Sequence, residues 1–292
     1  MKPPVFKYLA ARSLDEALAL KAEYGDEGHF LAGGQSLMPT LNFRLSQPAA
    51  LIDINPLTAC AGVKDAGPQG LSIGALTRYR DLERSAPIRD RLPLVHEALP
   101  HIAHPQIRNR GTIGGNLANA DPASEMPAIV LALAGRLRAQ SRRGERWIEA
   151  AKFFQGALKT ALEPDEMLVE VALPAANPGA GSCFMEVARR RGDFALAGVA
   201  CVVVLDQAGR CAQARLALCN AGETPILAEA AGASLLGRAI DAAGADQAAD
   251  LAQRAIDPGG SIHAGKAFQR HLAGVLIKRC LSVANERARR AH

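Results

Sequence analysis

The feature that most constrains the fold of this chain is a pair of adjacent glycines, Gly33 and Gly34. They lie in residues 30–37, whose sequence is FLAGGQSL. Apolar residues before the pair fit the end of a buried strand, and residues 37–45 follow helical spacing. Glycines permit positive φ and close approach of a ligand, so successive N–H groups can form an anion-binding nest at the helix N-terminus. A plain strand-to-helix turn without a ligand is the alternative.

A second glycine cluster lies in residues 108–125, whose sequence is RNRGTIGGNLANADPASE. Its glycines, at positions 111, 114 and 115, are framed by Thr112 and Asn116. Two nests flanked by small polar donors suit a ligand with two linked phosphates. We therefore expect both loops, although distant in sequence, to lie on one diphosphate bridge.

These two motifs closely resemble the FAD-binding medium subunit of molybdenum hydroxylases, the family of xanthine dehydrogenase and aerobic carbon monoxide dehydrogenase. The resemblance covers nearly the whole chain, with further matching motifs in residues 166–174, 184–195 and 268–276. Each motif alone is moderately specific for this family, but the motifs taken together in this order are strongly specific for it.

The resemblance implies an α+β fold with two domains. Residues 1–176 are expected to form a two-subdomain FAD-binding domain of the PCMH/VAO-like type, with subdomains at about 1–60 and 61–176. Residues 177–292 are expected to form a C-terminal antiparallel sheet-and-helix domain. A Pro- and Gly-rich linker at residues 174–181 agrees with this boundary.

The resemblance also implies which residues contact FAD. Residues 32–36 face one side of the pyrophosphate, and Thr112, Gly115 and Asn116 face the other. Glu125, where Asp is usual, contacts the ribityl hydroxyls; a first-turn helix carboxylate is the alternative. The implied set is Ala32, Gly33, Gly34, Gln35, Ser36, Leu37, Ile102, Ala103, Thr112, Gly115, Asn116, Glu125, Leu168 and Phe194.

Four members of that set lie near the flavin ring. For Ile102 and Phe194, simple core packing is an equal alternative on sequence alone. Leu168 could exchange its role with Val169. Gln35 stands where several related flavin oxidases carry a histidine that bonds the flavin, so noncovalent FAD is expected.

The implied function is electron transfer. Iron–sulfur clusters on a small partner chain would reduce the FAD, after a large molybdopterin-binding partner has oxidised the substrate. Reduced flavin would then pass electrons to an external acceptor, in a complex expected to be a dimer of heterotrimers. A self-sufficient FAD-dependent oxidase or dehydrogenase and a non-catalytic flavin-binding assembly protein are the alternatives. No catalytic acid or base is demanded of this chain, because the redox chemistry belongs to the cofactor.

Composition narrows the remaining classes. The 292 residues carry a net charge of +5 and few aromatic residues, which does not favour nucleic-acid binding. Six cysteines occur without a C-x-x-C pair, so no zinc or iron–sulfur site is expected on this chain. No apolar run approaches the length of a membrane span, and the first residues lack a signal-peptide core, so a cytoplasmic location is expected.

Two further motifs are rejected. Residues 260–266 match a phosphate-binding P-loop up to Lys266, but Ala267 replaces the hydroxyl that would bind magnesium. His96, His101 and His104 could suggest zinc, yet no thiolate or carboxylate completes the set. A G-x-G-x-x-G dinucleotide fingerprint and a G-x-S-x-G nucleophile motif are both absent from the sequence.

Local patterns predict the main elements. A capping box at Ser13 and Glu16 predicts a helix that stops near Gly25. Thr77 is predicted to cap a helix through Leu82. Residues 127–135 fit a helix or a strand. Other predicted helices cover residues 93–103, 226–256 and 266–289, and predicted strands cover residues 50–54, 70–75, 137–139, 146–148, 183–190, 197–206 and 211–220.

Overall fold

The structure is a computed structural model that describes residues 2–177 and 179–291. Pro178, inside the predicted linker, therefore lies outside the described residues. Within those ranges the strands form sheets of three, five and four strands and one two-stranded ribbon. The strands are β1 (Lys7–Ala10), β2 (Gly28–Leu31), β3 (Ala50–Asp53), β4 (Val63–Asp65), β5 (Leu71–Gly74), β6 (Arg136–Ser141), β7 (Gly144–Glu149), β8 (Phe154–Gly156), β9 (Lys159–Thr160), β10 (Met167–Leu173), β11 (Ala180–Ala188), β12 (Ala195–Leu205), β13 (Cys211–Cys219) and β14 (Ile226–Leu227).

The α-helices of the described residues surround these sheets. They are α1 (Leu14–Tyr24), α2 (Leu37–Asn42), α3 (Tyr79–Arg84), α4 (Ala86–Arg91), α5 (Pro93–Ala98), α6 (Pro105–Arg108), α7 (Ile113–Asn119), α8 (Glu125–Ala132), α9 (Ala150–Phe153), α10 (Glu229–Ala233), α11 (Ala242–Ala255) and α12 (Lys266–Ala291). None of them, as far as the described ranges extend, combines the length and apolar character that a bilayer-spanning helix needs.

The first sheet is parallel, with strand order β1-β3-β2. Helix α1 connects β1 to β2, and its predicted N-cap at Ser13 is confirmed, but the Glu16 side chain bonds the N–H of Arg12 instead of the Ser13 N–H that a full capping box uses. Ser13 Oγ accepts the Glu16 N–H at 3.1 Å, and Glu16 Oε2 accepts the Arg12 N–H at 2.8 Å. Gly25 ends the helix with φ +51°, a conformation that favours glycine.

The second sheet is antiparallel, with order β4-β5-β10-β6-β7 and β10 at its centre. The predicted cap at Thr77 was wrong, because helix α3 begins at Tyr79 with Arg78 as its N-cap. Thr77 Oγ1 instead accepts the Gly62 N–H at 2.9 Å and donates to the Gly74 carbonyl at 2.6 Å. Its hydroxyl therefore links the residue before β4 to the last residue of β5, and it does not cap a helix.

Two predicted helices end earlier than the apolar pattern suggests. Helix α2 stops at Asn42, Arg44 adopts φ +56°, and Leu45 is exposed. Helix α5 stops at Ala98 and is followed by a single 3₁₀ turn that contains Pro100. Proline has no N–H to continue the helical ladder, which explains the second break.

The third sheet is antiparallel, with order β11-β12-β13-β14; helix α12 packs against β11 and β12, and helix α11 packs against α12. A Cβ on Gly181 of β11 would overlap the carbonyl oxygen of Ala284 in α12, so the helix lies directly on the strand backbone. The ambiguous segment at residues 127–135 is largely helix α8, which is buried throughout and packs against the third sheet and against helices α5 and α7. The two-subdomain FAD-binding-type domain and the C-terminal sheet-and-helix domain have the predicted architecture.

Candidate functional site

The candidate site is a cavity of about 620 Å³ that lies where the first sheet, the second sheet and one end of the third sheet meet. This volume is within the usual range for small-molecule and cofactor sites. Every residue that the sequence predicts at the site lines this cavity. They are Ala32, Gly33, Gly34, Gln35, Ser36, Leu37, Ile102, Ala103, Thr112, Gly115, Asn116, Glu125, Leu168 and Phe194.

The first glycine loop joins β2 to α2 and offers free backbone donors. Gly34 adopts φ +70°, which turns the chain from the strand into the helix. Across the described ranges, the N–H groups of residues 33–37 have no hydrogen-bond partner in the chain. These five residues line the cavity at the positive end of α2, so the loop can bind an anionic group through its main chain.

The second glycine cluster differs from its prediction as a second nest. The Gly114 N–H donates to the Ala75 carbonyl at 2.8 Å, and the Gly115 N–H donates to Thr112 Oγ1 at 3.0 Å. These N–H groups are therefore used within the protein to fix the start of helix α7. What the cluster offers a ligand is a glycine surface that permits close approach, together with the Thr112 and Asn116 side chains.

The two glycine loops touch each other through their backbones. A Cβ on Gly33 would lie 2.5 Å from the carbonyl oxygen of Arg110 and 2.8 Å from the Cα of Gly111. A Cβ on Gly115 would lie 3.7 Å from the Cβ of Ala32. Glycine is thus required for the loops to meet, and both loops face the same cavity.

A polar pair lies behind the second loop. Asn116 Nδ2 is 2.7 Å from Ser124 Oγ, and Ser124 is buried. This pair connects helix α7 to the start of helix α8, where Glu125 is the first residue. Ser124 was not predicted as a site residue, although a serine directly before a helix start is a common N-cap signal.

Among the acidic residues of the cavity wall, Glu125 has the pKa that departs most from its ordinary value. Its residue is 3% exposed, and within the described chain no cation pairs with it. Burial raises the pKa of Glu125 to about 8, and the negative charges of Glu186 and Asp121 add to the increase. This environment favours the protonated form of its carboxyl group.

Apolar groups form another part of the wall. Ile102 and Leu168 are buried, whereas Phe194 is 61% exposed and lies at the opening. Ala103 adopts φ +49°, and its turn is held by Arg108, whose Nη1 donates to the carbonyls of Ile102 at 3.0 Å and Ala103 at 2.7 Å. Arg108 was missed by the sequence analysis, because a structural arginine has no local signature.

The loop that carries Phe194 reaches the cavity from the C-terminal domain. Gly192 adopts φ +88°, and a Cβ there would lie 2.5 Å from His104 Nδ1. His104 and Tyr79 also line the cavity and were not predicted as site residues. Only the tertiary arrangement brings them there, since neither lies in a glycine motif.

Comparison with known proteins places this geometry in context. A family profile described as "FAD binding domain in molybdopterin dehydrogenase" matches residues 4–176, and one described as "CO dehydrogenase flavoprotein C-terminal domain" matches residues 182–284. The chain is 41% identical over 289 residues to the 6-hydroxypseudooxynicotine dehydrogenase complex subunit alpha of Paenarthrobacter nicotinovorans, with 99% of this chain and 97% of the relative covered.

This chain is also similar to the medium chains of carbon monoxide dehydrogenases. The medium chain from Hydrogenophaga pseudoflava is 37% identical over 285 residues, with 97% of this chain and 98% of the relative covered. A solved structure of carbon monoxide dehydrogenase from Hydrogenophaga pseudoflava, in a form that lacks the Mo-pyranopterin moiety of the molybdenum cofactor, gives a TM-score of 0.96 at 39% identity. That match covers 98% of this chain and 99% of the other.

Proposed function

This chain belongs to the family of FAD-binding medium subunits of molybdenum hydroxylases, and on that premise we propose that its cavity holds FAD noncovalently between the two glycine loops. It is an oxidoreductase subunit. The observation that carries the proposed site is the meeting of the loops, where unpaired N–H groups of residues 33–37 face the glycine surface of Gly115. A diphosphate bridge needs such donors on one side and space for close approach on the other.

Each part of the wall suits a different part of FAD. Residues 32–36 would bind one side of the pyrophosphate, and Thr112, Gly115 and Asn116 would bind the other. Glu125 would hydrogen-bond the ribityl hydroxyls. The flavin ring would contact the apolar groups of Ile102, Ala103, Leu168 and Phe194.

The bound flavin would supply the redox chemistry, accepting electrons and passing them on. The protein would orient the flavin, shield it and set its hydrogen bonds.

In this proposal a small chain with 2Fe–2S clusters delivers the electrons, and a large molybdopterin-binding chain oxidises the substrate. The complex is proposed to be a cytoplasmic dimer of heterotrimers. Native mass spectrometry of the three coexpressed chains measures the subunit composition of the complex. An isolated medium subunit that turns over a small substrate by itself would contradict the electron-transfer role.

The domain boundaries are part of the same proposal. Residues 1–176 are taken as the FAD-binding domain, with the parallel sheet in its first 60 residues and the five-stranded antiparallel sheet in residues 61–176. Residues 177–292 contribute the loop that carries Phe194, so both domains would be needed for full affinity.

A binding experiment on the purified chain tests the site. We expect Gly33→Ala to weaken FAD binding about 10- to 100-fold, because its Cβ would collide with the Arg110 backbone and separate the loops. Quenching of flavin fluorescence on titration measures the dissociation constant. Gly259→Ala is the matched control, since a Cβ there meets nothing within 4 Å. Equal FAD affinity in Gly33→Ala and the control would contradict the proposed site.

A further inference from the structure

Glu125 lies among groups that disfavour its ionised form. The nearby acids that act on its charge are Glu186, from strand β11, and Asp121, from the turn before helix α8. Its own backbone N–H is the one group that favours the carboxylate. An ionised carboxylate that is 3% exposed and has no cation partner in the described chain is energetically costly, so this site favours the neutral acid.

The third sheet brings Glu186 toward the start of helix α8, because the Asn220 N–H, directly after β13, donates to the Pro122 carbonyl at 2.7 Å. Glu186 lies in the same row of the sheet as Cys219, the neighbour of Asn220. It pairs in register with Gly198 of β12, where a Cβ would lie 3.4 Å from the Glu186 Cβ and 2.6 Å from Cys219 Sγ. The absent side chain at Gly198 leaves room for the Glu186 and Cys219 side chains on one face of the sheet. The Glu186 side chain is only 5% exposed as a result.

One carboxylate oxygen of Glu186 contacts a histidine. His101 Nδ1 lies 3.3 Å from Glu186 Oε1, and the His101 side chain is 38% exposed. The other oxygen, Oε2, is buried and has no hydrogen-bond partner in the described chain. The His101 ring therefore contacts Glu186, while Glu125 has no such partner among the described residues.

Two further titratable groups near Glu125, Tyr79 and Cys219, carry no positive charge. Tyr79, from helix α3, has a buried hydroxyl without a partner in the part of the chain that the structure describes. Burial and the Glu125 charge raise its pKa well above the usual value. Cys219, from strand β13, is also fully buried, and burial followed by the charges of Glu125 and Glu186 raises its pKa. Neither group can neutralise a Glu125 carboxylate.

We propose that Glu186 is a positioning residue that keeps the Glu125 carboxyl group in its neutral, protonated form at the cavity wall, where it donates a hydrogen bond to the bound cofactor. This inference rests on the proposed function, because it assumes that FAD occupies the cavity. Deprotonation removes the donor and adds a negative charge beside a cofactor whose pyrophosphate is already anionic. FAD affinity should therefore fall as pH rises through the titration of Glu125.

FAD binding to the full chain without cofactor, measured from about pH 6 to 10, tests this directly. In the wild type we expect the dissociation constant to rise about tenfold or more with a midpoint near pH 8. Glu125→Gln, which is always neutral, should bind FAD with an affinity that does not change across this range. Glu186→Gln should move the midpoint downward by about one pH unit, because it removes a negative charge beside Glu125.

A control variant shows whether the shift of the midpoint requires the loss of Glu186 itself or follows from the loss of any one carboxylate. Glu223→Gln removes an exposed carboxylate of the same domain and should leave the midpoint unchanged. A midpoint that Glu186→Gln leaves in place would overturn the role of Glu186. Absence of FAD binding at every pH would instead contradict the proposed function itself.

Infrared spectroscopy gives a second measurement that does not depend on the Glu186 variant being folded. With ¹³C-labelled glutamate, wild-type protein near pH 7 should show the C=O stretch of a buried carboxylic acid. This band should disappear in Glu125→Gln and in wild type above about pH 9. A wild-type spectrum with only carboxylate bands at neutral pH would overturn the proposal.

Discussion

Glu125 makes the stability of this protein depend on pH in a direction opposite to that of most acids. Its pKa is about 8 in the folded chain against an ordinary value of 4.5. The folded state therefore holds a proton that the unfolded state releases. The contribution to stability is complete below about pH 4.5 and is lost as pH rises through 8, with a total on the order of 5 kcal/mol.

Glu125→Gln should abolish this dependence, because glutamine has no proton to lose. We expect the thermal midpoints of wild type and variant to be closest near pH 5, and the variant to become progressively more stable toward pH 8. Differential scanning fluorimetry of the protein without FAD, in matched buffers at constant ionic strength, measures the difference. A difference that is constant over this range would mean that Glu125 titrates normally in the folded protein.

Gly115 illustrates a different constraint at the residue scale. A Cβ at this position would lie 2.8 Å from Thr112 Oγ1, the atom that caps helix α7. We expect Gly115→Val to cost about 1 kcal/mol through the disturbed cap, and to prevent FAD from approaching the backbone. The flavin absorbance of the purified protein reports the second effect, with Gly259→Val as the control. Normal flavin content in Gly115→Val would show that this glycine does not border the cofactor.

The sequence predicted which residues surround the cavity better than it predicted their chemistry. Glycine motifs identify backbone approach locally, so both loops could be located before the structure was known. The protonation of Glu125 could not be predicted, since Glu186 and Tyr79 come from distant segments. Gly114 was assigned to a nest, although its N–H group is used by Ala75. No local pattern distinguishes a glycine that binds a ligand from one that permits packing.

At the scale of elements, β11 and α12 approach each other closely through their backbones. Gly181 faces the helix backbone at Ala284 and Ala288, and neither can move aside as a flexible side chain would. Gly181→Ala should therefore destabilise the protein by about 1 to 3 kcal/mol. Urea unfolding followed by circular dichroism measures the loss.

A matched control is available just before the same helix. Gly265 has open space around the position of a Cβ, so Gly265→Ala should change the unfolding midpoint little. Equal midpoints for the two variants would indicate that α12 can shift away from β11 at no cost.

Element types were predictable where one periodicity dominated and not elsewhere. The long helix α12 and the three long strands of the third sheet follow clear apolar patterns. Helix α8 does not, because it is buried on all sides and has no polar face to reveal its period. Thr77 was mistaken for a helix cap, because a threonine before a helical pattern looks the same in sequence whether its hydroxyl binds the helix or the ends of neighbouring strands.

At the scale of the molecule, the cavity depends on how the C-terminal domain is attached. Glu97 in helix α5 and Arg287 in helix α12 form a two-point ion pair, with Arg287 Nη1 2.6 Å from Glu97 Oε2 and Nη2 3.2 Å from Oε1. Helix α5 leads to the turn at Ala103, and strand β11 leads to the loop that carries Phe194. Arg287 Nη1 also donates to the Ser182 carbonyl of β11, so this arginine links two of the segments that contribute the apolar wall, which no local sequence pattern predicts.

Charge reversal tests whether the pair holds the domains in register. Arg287→Glu or Glu97→Arg alone should place like charges together, destabilise the protein by about 1 kcal/mol and weaken FAD binding severalfold, because the Phe194 loop is displaced. The double reversal restores opposite charges and should recover most of both losses. Arg290→Glu is the control, since Arg290 pairs only with Glu286 on its own helix among the described residues. Unfolding midpoints and FAD titrations on all four variants provide the measurement. If the double reversal is as impaired as the sum of the single ones, the two side chains do not act as a pair, and the domains must be held by apolar packing between α5, α8 and the third sheet alone.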